Sequence, residues 1–358
     1  MAAQGAIASL PVQAKTPRPL LGCNVYELVL RKDITDSDAA ATVRLLGKRG
    51  ISLIRFPAGA QWAGDWAAFE AKPDIRWRRL DAIVEAAESV RVALIPCMFW
   101  SSTALPFHCG ESLQAWADPH SKTCLFAERY VEHFIHRYDR SPAMLMYEFL
   151  NEPNAWIDLP NALDFWPKHD PTIPPRLNTP ADHVTSSNLR KAAQIFAASV
   201  RATSNKPISA GTDLPRSNAS HLAHRQWDHD TLSENLEHLS AITPRNMNVL
   251  SIHVYREKLS GAPRTFGTET TLLSAFSRTA RLDGRRSLVG EFGVKRSSNP
   301  DADRRSFRLL LDSIIHSHID YAALWNYSSR PFQPEWDVSF ESDRAYQLEM
   351  VAAENQAG

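Results

Sequence analysis

The sequence predicts a single (β/α)8 TIM barrel, and three observations carry the prediction. Eight short runs of bulky apolar residues recur along the chain, each suited to a buried strand and too short for a comfortable helix. Segments of helical period or long loops separate them, and that alternation builds a parallel sheet with helices outside it. Eight is also the strand number at which such a sheet closes around an interior filled by side chains. The competing architecture, a doubly wound open sheet, needs a Gly-rich turn after its first strand to hold a dinucleotide phosphate, and none stands there.

A proline-punctuated tail over residues 1–19 precedes the barrel, which is expected to fill 20–358 as one domain because no linker or composition shift divides it. Strand one is Leu20 to Tyr26. Thr35, with Asp36 and Asp38 behind it, opens a helix that keeps Ala39, Val43 and Leu46 on one face and stops at Gly50. Strand two, Ile51 to Pro57, closes on proline. A helix from Arg76 to Val90 turns Leu80, Ile83, Val84 and Ala87 inward and leads to strand three, Val92 to Phe99. A loop rich in Trp, Pro and Ser (100–119) follows, then a helix with Phe126, Tyr130, Phe134 and Tyr138 at four-residue intervals.

Strand four, Met144 to Leu150, ends abruptly at Asn151-Glu152-Pro153, where proline cannot donate to a ladder and forces the backbone out of regular structure. A second long loop runs from Pro153 to Val184. A helix carrying Leu189, Ala193, Phe196 and Val200 then reaches a short strand five, Pro207 to Thr212. Asp213 to Asn246 reads as loop plus helix. Strand six is Val249 to Tyr255, strand seven Ser287 to Gly293 and strand eight Tyr321 to Tyr327; helices over Thr270 to Leu282, Asp303 to His318 and Glu341 to Glu354 follow them in turn.

Forty basic residues balance forty acidic ones, which removes the electrostatic reason to expect nucleic acid or an anionic membrane as partner. No run reaches the roughly 20 apolar residues of a membrane span. Residues 1–14 are Ala-rich but lack the basic start and continuous apolar stretch of a signal peptide. Nothing asks for a partner subunit, so a monomer is expected. Cys23 and Cys97 fall in strands as small core residues; Cys109 and Cys124 flank one loop and could be bridged in an exported protein. No Cys-x-x-Cys pair points to structural zinc. His221-x-x-His224 followed by Asp228, His229 and Asp230 has the residue types of a metal site, but lacks a regular element to fix them and reads as a solvated loop. Ten tryptophans, several in loops, offer indole faces on which a sugar ring can pack, although core packing explains some equally well.

In a barrel of this kind, chemistry gathers at the carboxyl ends of the strands. The polar residues placed there form a coherent set: Arg55 after strand two, Asn151 and Glu152 after strand four, His253 and Tyr255 on strand six, Glu291 on strand seven, Trp325 and Asn326 on strand eight. Glu152 and Glu291 face each other across the mouth. Glycosidic-bond cleavage needs two such carboxyls, one to protonate the leaving oxygen and one to attack or stabilise the anomeric carbon. A nearby arginine and tyrosine would hold one glutamate ionised, while a drier, less charged setting would keep the other protonated.

These motifs resemble those of clan A glycoside hydrolases, most closely the cellulase-like family 5, from about Leu20 to Glu354. Asn151-Glu152-Pro153 is similar to the family's acid/base motif and Val289-Gly290-Glu291-Phe292-Gly293 to its nucleophile motif. Arg55 in Ile54-Arg55-Phe56-Pro57, the triplet His253-Val254-Tyr255, and Trp325 match its remaining positions. Each motif is short, but five in order, each on its own strand, are specific together. The resemblance implies a retaining O-glycosyl hydrolase of endo-β-1,4-glycanase type that cleaves β-linked glucan or mannan without metal or cofactor. Glu152 would be the general acid/base and Glu291 the nucleophile. Asn151 would bond the sugar 2-hydroxyl, Arg55 and Tyr255 would orient Glu291 with His253 in support, and Trp325 would floor the subsite before the cleaved bond. Many members carry a histidine at the end of strand three; here that place reads Met98-Phe99-Trp100-Ser101-Ser102, with His108 farther along the loop as a candidate replacement. Exo action, transglycosylation or a binding-only barrel remain as alternatives. Glycan degradation favours a secreted or periplasmic location.

Overall fold

The computed structural model describes residues 18–167, 169–255, 266–328 and 333–357; most of the expected tail, residues 1–17, lies outside them. Eight strands form one closed parallel barrel in chain order: β1 Leu20–Asn24, β2 Leu53–Pro57, β3 Ala93–Phe99, β4 Tyr147–Leu150, β5 Ile208–Ser209, β6 Val249–Tyr255, β7 Arg286–Gly293 and β8 Tyr321–Leu324. β8 closes the ring on β1, with Leu20 opposite Tyr321 and Cys23 opposite Leu324.

Strand alternation sorts the side chains into two bodies of packing. Ile54, Phe56, Leu94, Met98, Tyr147, Phe149, Leu250, Ile252 and Val254 point outward and join the large core beneath the helices. Their neighbours point inward, and the lowest of these make an apolar floor of Leu53, Ile95, Met146, Val249, Leu288 and Tyr321. Above that floor, the next inward positions of β2, β4 and β6 are Arg55, Glu148, Ser251 and His253, all buried. A dry plug thus lies under a charged layer, and that layer faces the carboxyl ends of the strands.

The helices follow from their sequences with a few differences. Thr35 caps Asp36–Lys48 through a reciprocal bond with Asp38, and Ala39, Val43 and Leu46 are buried. The helix expected from Arg76 begins at Pro73, where proline's missing N–H costs nothing. Just before it lies a helix the sequence pattern did not announce, Ala63–Ala71. β5 is only two residues long, because Gly211 takes φ +72° and turns the chain away; a Cβ there would meet the Leu150 carbonyl oxygen at 1.7 Å. The segment 213–246 holds two helices, Ala219–Ala223 and Leu232–Ile242.

Two expectations for peripheral residues need correction. The His221 segment is a solvated loop only in part: residues 224–229 are exposed as expected, but His221 lies on the short helix Ala219–Ala223, where buried Asp230 accepts hydrogen bonds from the Ser220 and His221 amides and meets His221 Nδ1 at 2.6 Å. Cys109 and Cys124, left open as a pair, are both free thiols, and Cys124 is turned toward the Ala115 and Trp116 carbonyls. Among the described residues no helix is long and apolar enough to cross a membrane.

The long loops after β3 and β4 are pinned to each other. Asp182, whose side chain is wholly buried, accepts from the amides of Leu113 and Thr179 and from both terminal nitrogens of Arg176. Burial pushes its carboxyl up, and these donors outweigh it and hold it below the usual range.

Candidate active site

Arg55 is the hub of the charged layer. Its guanidinium, entirely buried, donates through Nε to Glu148 (2.7 Å), through Nη1 to Asn24 Oδ1 (2.9 Å) and Glu291 Oε1 (3.0 Å), and through Nη2 to Asn151 Oδ1 (2.6 Å). It also lies over the Trp100 ring, 4.9 Å from the centroid. Burial works against its charge, and the carboxylates of Glu148 and Glu291 outweigh that and hold the proton on. Five donors in a fixed fork explain why this position is arginine: a lysine could not tie four strands together.

Glu291 sits where β7 departs from regular pairing. Ile252 lies opposite Val289 but His253 lies opposite Glu291, so Gly290 is an extra residue, a bulge that re-aims the glutamate. Gly290 must also be small, since a Cβ there would come within 2.8 Å of His253 Nε2. Besides Arg55, Glu291 accepts a very short hydrogen bond from the Tyr255 hydroxyl at Oε2. Burial, and after it the Glu291 charge, push the Tyr255 phenol well above its ordinary range, so it stays a donor. Both oxygens of Glu291 therefore accept, and its side chain is only 4% exposed.

Glu152 is held differently. It has φ +50°, the left-handed region that a bulky residue rarely adopts, and its amide donates to the Gly211 carbonyl at 2.8 Å. Its side chain is 30% exposed and meets His253 Nδ1 at 2.9 Å. The same nitrogen lies 3.5 Å from Glu291 Oε2. Burial opposes the His253 imidazolium, but Glu291 and then Glu152 outweigh it and raise its pKa above the ordinary value. The two carboxylate oxygens that share this nitrogen are thus at most about 6.4 Å apart, the sum of 2.9 and 3.5 Å.

The seven site residues read from the sequence converge as expected. Arg55, Asn151, Glu152, His253, Tyr255, Glu291 and Trp325 meet at or directly beneath one cleft of about 510 Å³, a size that suits a small ligand. Trp325 lies in its wall, stacked on Trp100 at 6.0 Å and 14°, with its indole N–H donated to Gln333. One expectation fails and one open question is answered. The acid/base candidate was to sit in the drier, less charged setting, yet Glu152 is the wetter of the two glutamates and lies among charged groups. His108, left open as a replacement for the strand-three histidine, pairs with Glu70 at 2.8 Å and is not among the residues that line the cleft, whereas Trp100 is.

Several residues escaped the sequence reading. Glu148 carries a signal, a lone carboxylate inside an apolar run, which in a strand must point into the barrel and find a cation. Asn24 donates its amide to the carbonyls of Gly290 (2.9 Å) and Ala323 (3.2 Å) and so holds the β7 bulge; nothing in the sequence around it marks this. Tyr26, Gln61, Trp100, Gln333 and Trp336 complete the cleft wall from loops distant in sequence.

The sequence matches the cellulase family (glycosyl hydrolase family 5) over residues 22–330. No curated protein matches it. Among solved structures, the fold is similar to an endo-β-1,4-mannanase from Thermotoga petrophila, with TM-score 0.68, 13% identity, and coverage of 96% of this chain and 78% of that one. An endo-1,4-β-mannanase from Rhizomucor miehei gives 0.66 at 12% identity, covering 97% of each chain. An exo-β-1,4-mannosidase from Opitutaceae bacterium strain TAV5 gives 0.58 at 16%, covering 95% of this chain and 60% of that one. At such identities the likenesses speak for the fold, while the sequence match over most of the chain speaks for descent. The chain belongs to glycosyl hydrolase family 5, the cellulase family, and is an O-glycosyl hydrolase.

Proposed function

We propose that the enzyme is a retaining β-glycosidase that cleaves β-linked glucan- or mannan-type glycans, with Glu291 as nucleophile and Glu152 as acid/base. The observation that carries this reading is that one oxygen of each carboxylate reaches the same histidine nitrogen, which puts those two oxygens at most about 6.4 Å apart. Retaining enzymes hold their carboxyls roughly 5–5.5 Å apart, and inverting ones need about 6.5–9.5 Å to admit a water. Fold neighbours that are mannanases and a mannosidase favour a manno-configured backbone among the two.

The geometry divides the labour. Glu291, both oxygens accepting, attacks the anomeric carbon as the glycosidic C–O bond breaks, and Glu152 passes its proton to the departing oxygen. Glu152, now ionised and open to solvent, takes a proton from water; the water oxygen bonds to the anomeric carbon and Glu291 leaves as carboxylate. Arg55 and Tyr255 hold the nucleophile's direction, and Tyr255 can shift its hydrogen bond when the Glu291 oxygen becomes esterified. Arg55 occupies Asn151 Oδ1, which turns the Asn151 amide nitrogen toward the cleft, where a sugar hydroxyl can accept from it. Trp325 offers the apolar ring face.

A fluorinated activated glycoside, which forms the glycosyl-enzyme quickly and releases it slowly, tests the assignment. Mass spectrometry should find the sugar on the peptide containing Glu291; a label elsewhere, or none with a cleaved substrate, would sink it. A panel of β-mannans, β-glucans and aryl glycosides then fixes the sugar, and product sizes from one oligosaccharide separate endo from exo action.

A further inference from the structure

We propose that Gln333 is a specificity-determining residue, whose side-chain amide nitrogen donates to a hydroxyl of the sugar ring that lies on Trp325. The inference rests on the reading of Glu291 as nucleophile and of Trp325 as the floor on its side of the cleaved bond. Gln333 follows β8, far from both glutamates in sequence, and it lines the cleft that holds them. Its side chain is half-buried there.

Its partner decides which way the amide faces. The indole N–H of Trp325 can only donate, and it meets the end of the Gln333 side chain at 2.8 Å. The atom it meets is therefore the amide oxygen, which leaves both N–H bonds turned away from the indole. Among the described residues that nitrogen has no partner. Asn151 repeats the device: Arg55 Nη2, also donor-only, takes its oxygen at 2.6 Å and frees its amide nitrogen. Two carboxamides thus reach the cleft with their oxygens taken, and each offers a ligand a donor. Once a sugar displaces water, an amide N–H without an acceptor costs free energy, so the ring that fits must present an oxygen to it.

The backbone that carries Gln333 is fastened to the end of β8. The Gln333 carbonyl accepts from the Trp336 amide at 2.9 Å. The Val338 amide donates to the Asn326 carbonyl at 3.1 Å, and the Ser328 amide to the Val338 carbonyl at 3.0 Å. Trp336 packs edge-on against Tyr255, with 4.9 Å between ring centroids, and Tyr255 donates to Glu291. Gln333 is thus tied through Trp325 to the sugar floor and through Trp336 to the partner of the nucleophile. Both ties place it on the glycone side, and a donor held at a fixed place reads one hydroxyl of the ring rather than any.

The test uses 2,4-dinitrophenyl β-mannosides, or β-glucosides if the substrate panel selects glucan, with the 3-, 4- or 6-hydroxyl replaced by hydrogen or fluorine. At one position, replacement by hydrogen should lower the wild-type kcat/KM by about 3- to 10-fold more than that of Gln333→Ala. Gln333→Glu keeps an oxygen for the indole but turns an acceptor toward the sugar. Fluorine accepts weakly and cannot donate, so the advantage of the fluoro over the deoxy sugar at that position should disappear in Gln333→Glu. Equal deoxy penalties in wild type and Gln333→Ala at all three positions overturn the proposal, because Gln333 is then only a prop for Trp325. A fluoro advantage that survives in Gln333→Glu overturns it as well. Trp325→Ala is the control for the reading beneath, and should raise KM for the unmodified sugar. With that rise present, missing coupling condemns the Gln333 inference alone; without it, Trp325 is not the floor and the glycone side itself is misassigned.

Discussion

Glu152 and Glu291 are the same residue type at the ends of two strands, yet the fold treats them in opposite ways. Glu291 lies on a strand, re-aimed by a bulge, with a side chain 4% exposed and hydrogen bonds on both oxygens from groups that cannot give up their protons at neutral pH. Glu152 lies on a turn in left-handed backbone, is 30% exposed, and meets a titratable histidine with a second carboxylate beside it. Fixed donors suit a group that must remain an anion aimed at one atom. Titratable neighbours and water suit a group that must lose a proton and regain it within one turnover. Burial by itself does not tell acid from nucleophile; the kind of neighbour does.

Substitutions can break this contrast, and the strongest act on the glutamates. Glu291→Gln should lower kcat by roughly 10⁵-fold on every substrate, the scale on which losing a covalent catalyst is felt. Glu152→Gln should cost about 10²–10⁴-fold on natural glycans and far less for the first, glycosyl-transferring step of a dinitrophenyl glycoside, whose leaving group needs no proton. Equal losses across leaving groups would erase the proposed difference between the two residues.

Arg55→Ala tests the fixed side. It leaves Glu148 and Glu291 buried without their cation, so denaturant unfolding should show a loss of about 3–5 kcal/mol, with activity gone in whatever remains folded. Gly290→Ala probes the same side more gently. The added methyl meets His253 Nε2 at 2.8 Å, and the imidazole must give way, at a cost of about 1–3 kcal/mol. The reduced kcat should come with little change in KM, because the sugar platforms are untouched.

The loops that frame the Glu152 side give the smallest effect. Asp182→Asn weakens the charge-assisted bond from the Leu113 amide across the two long loops, and those from Thr179 and Arg176 within one of them, and should lower stability by about 1–3 kcal/mol at neutral pH. Its folded pKa lies below its unfolded one, so this stabilisation is present above the ordinary carboxylate range and fades as pH falls through the lower folded value. Wild type and variant should therefore converge in acid. A gap that persists there would mean the charge is not what holds the loops.

What was legible in the sequence follows the same division. The eight strands, their order and the seven converging residues could be read because strand period and carboxyl-end placement are local properties. Glu148 was legible in principle, as a charge inside an apolar run. Asp213, the second carboxylate beside Glu152, was not: its place depends on a bond to Asn154, 59 residues away, and on a turn that only Gly211 permits. The Gly290 bulge, the Asn24 bonds that hold it and the turn of His108 toward Glu70 likewise arise from partners far along the chain. The mistaken dry setting for Glu152 came from applying a general rule for carboxylic acids without knowing the neighbours.

The central claim is a double displacement at this pair of glutamates, and the anomer released first tests it most directly. Proton NMR of a β-glycan digest, recorded within minutes of adding enzyme and before mutarotation, should show the β-anomer of the new reducing end. An α-anomer at the earliest time would mean a single inverting displacement, and would contradict the roles assigned to Glu152 and Glu291.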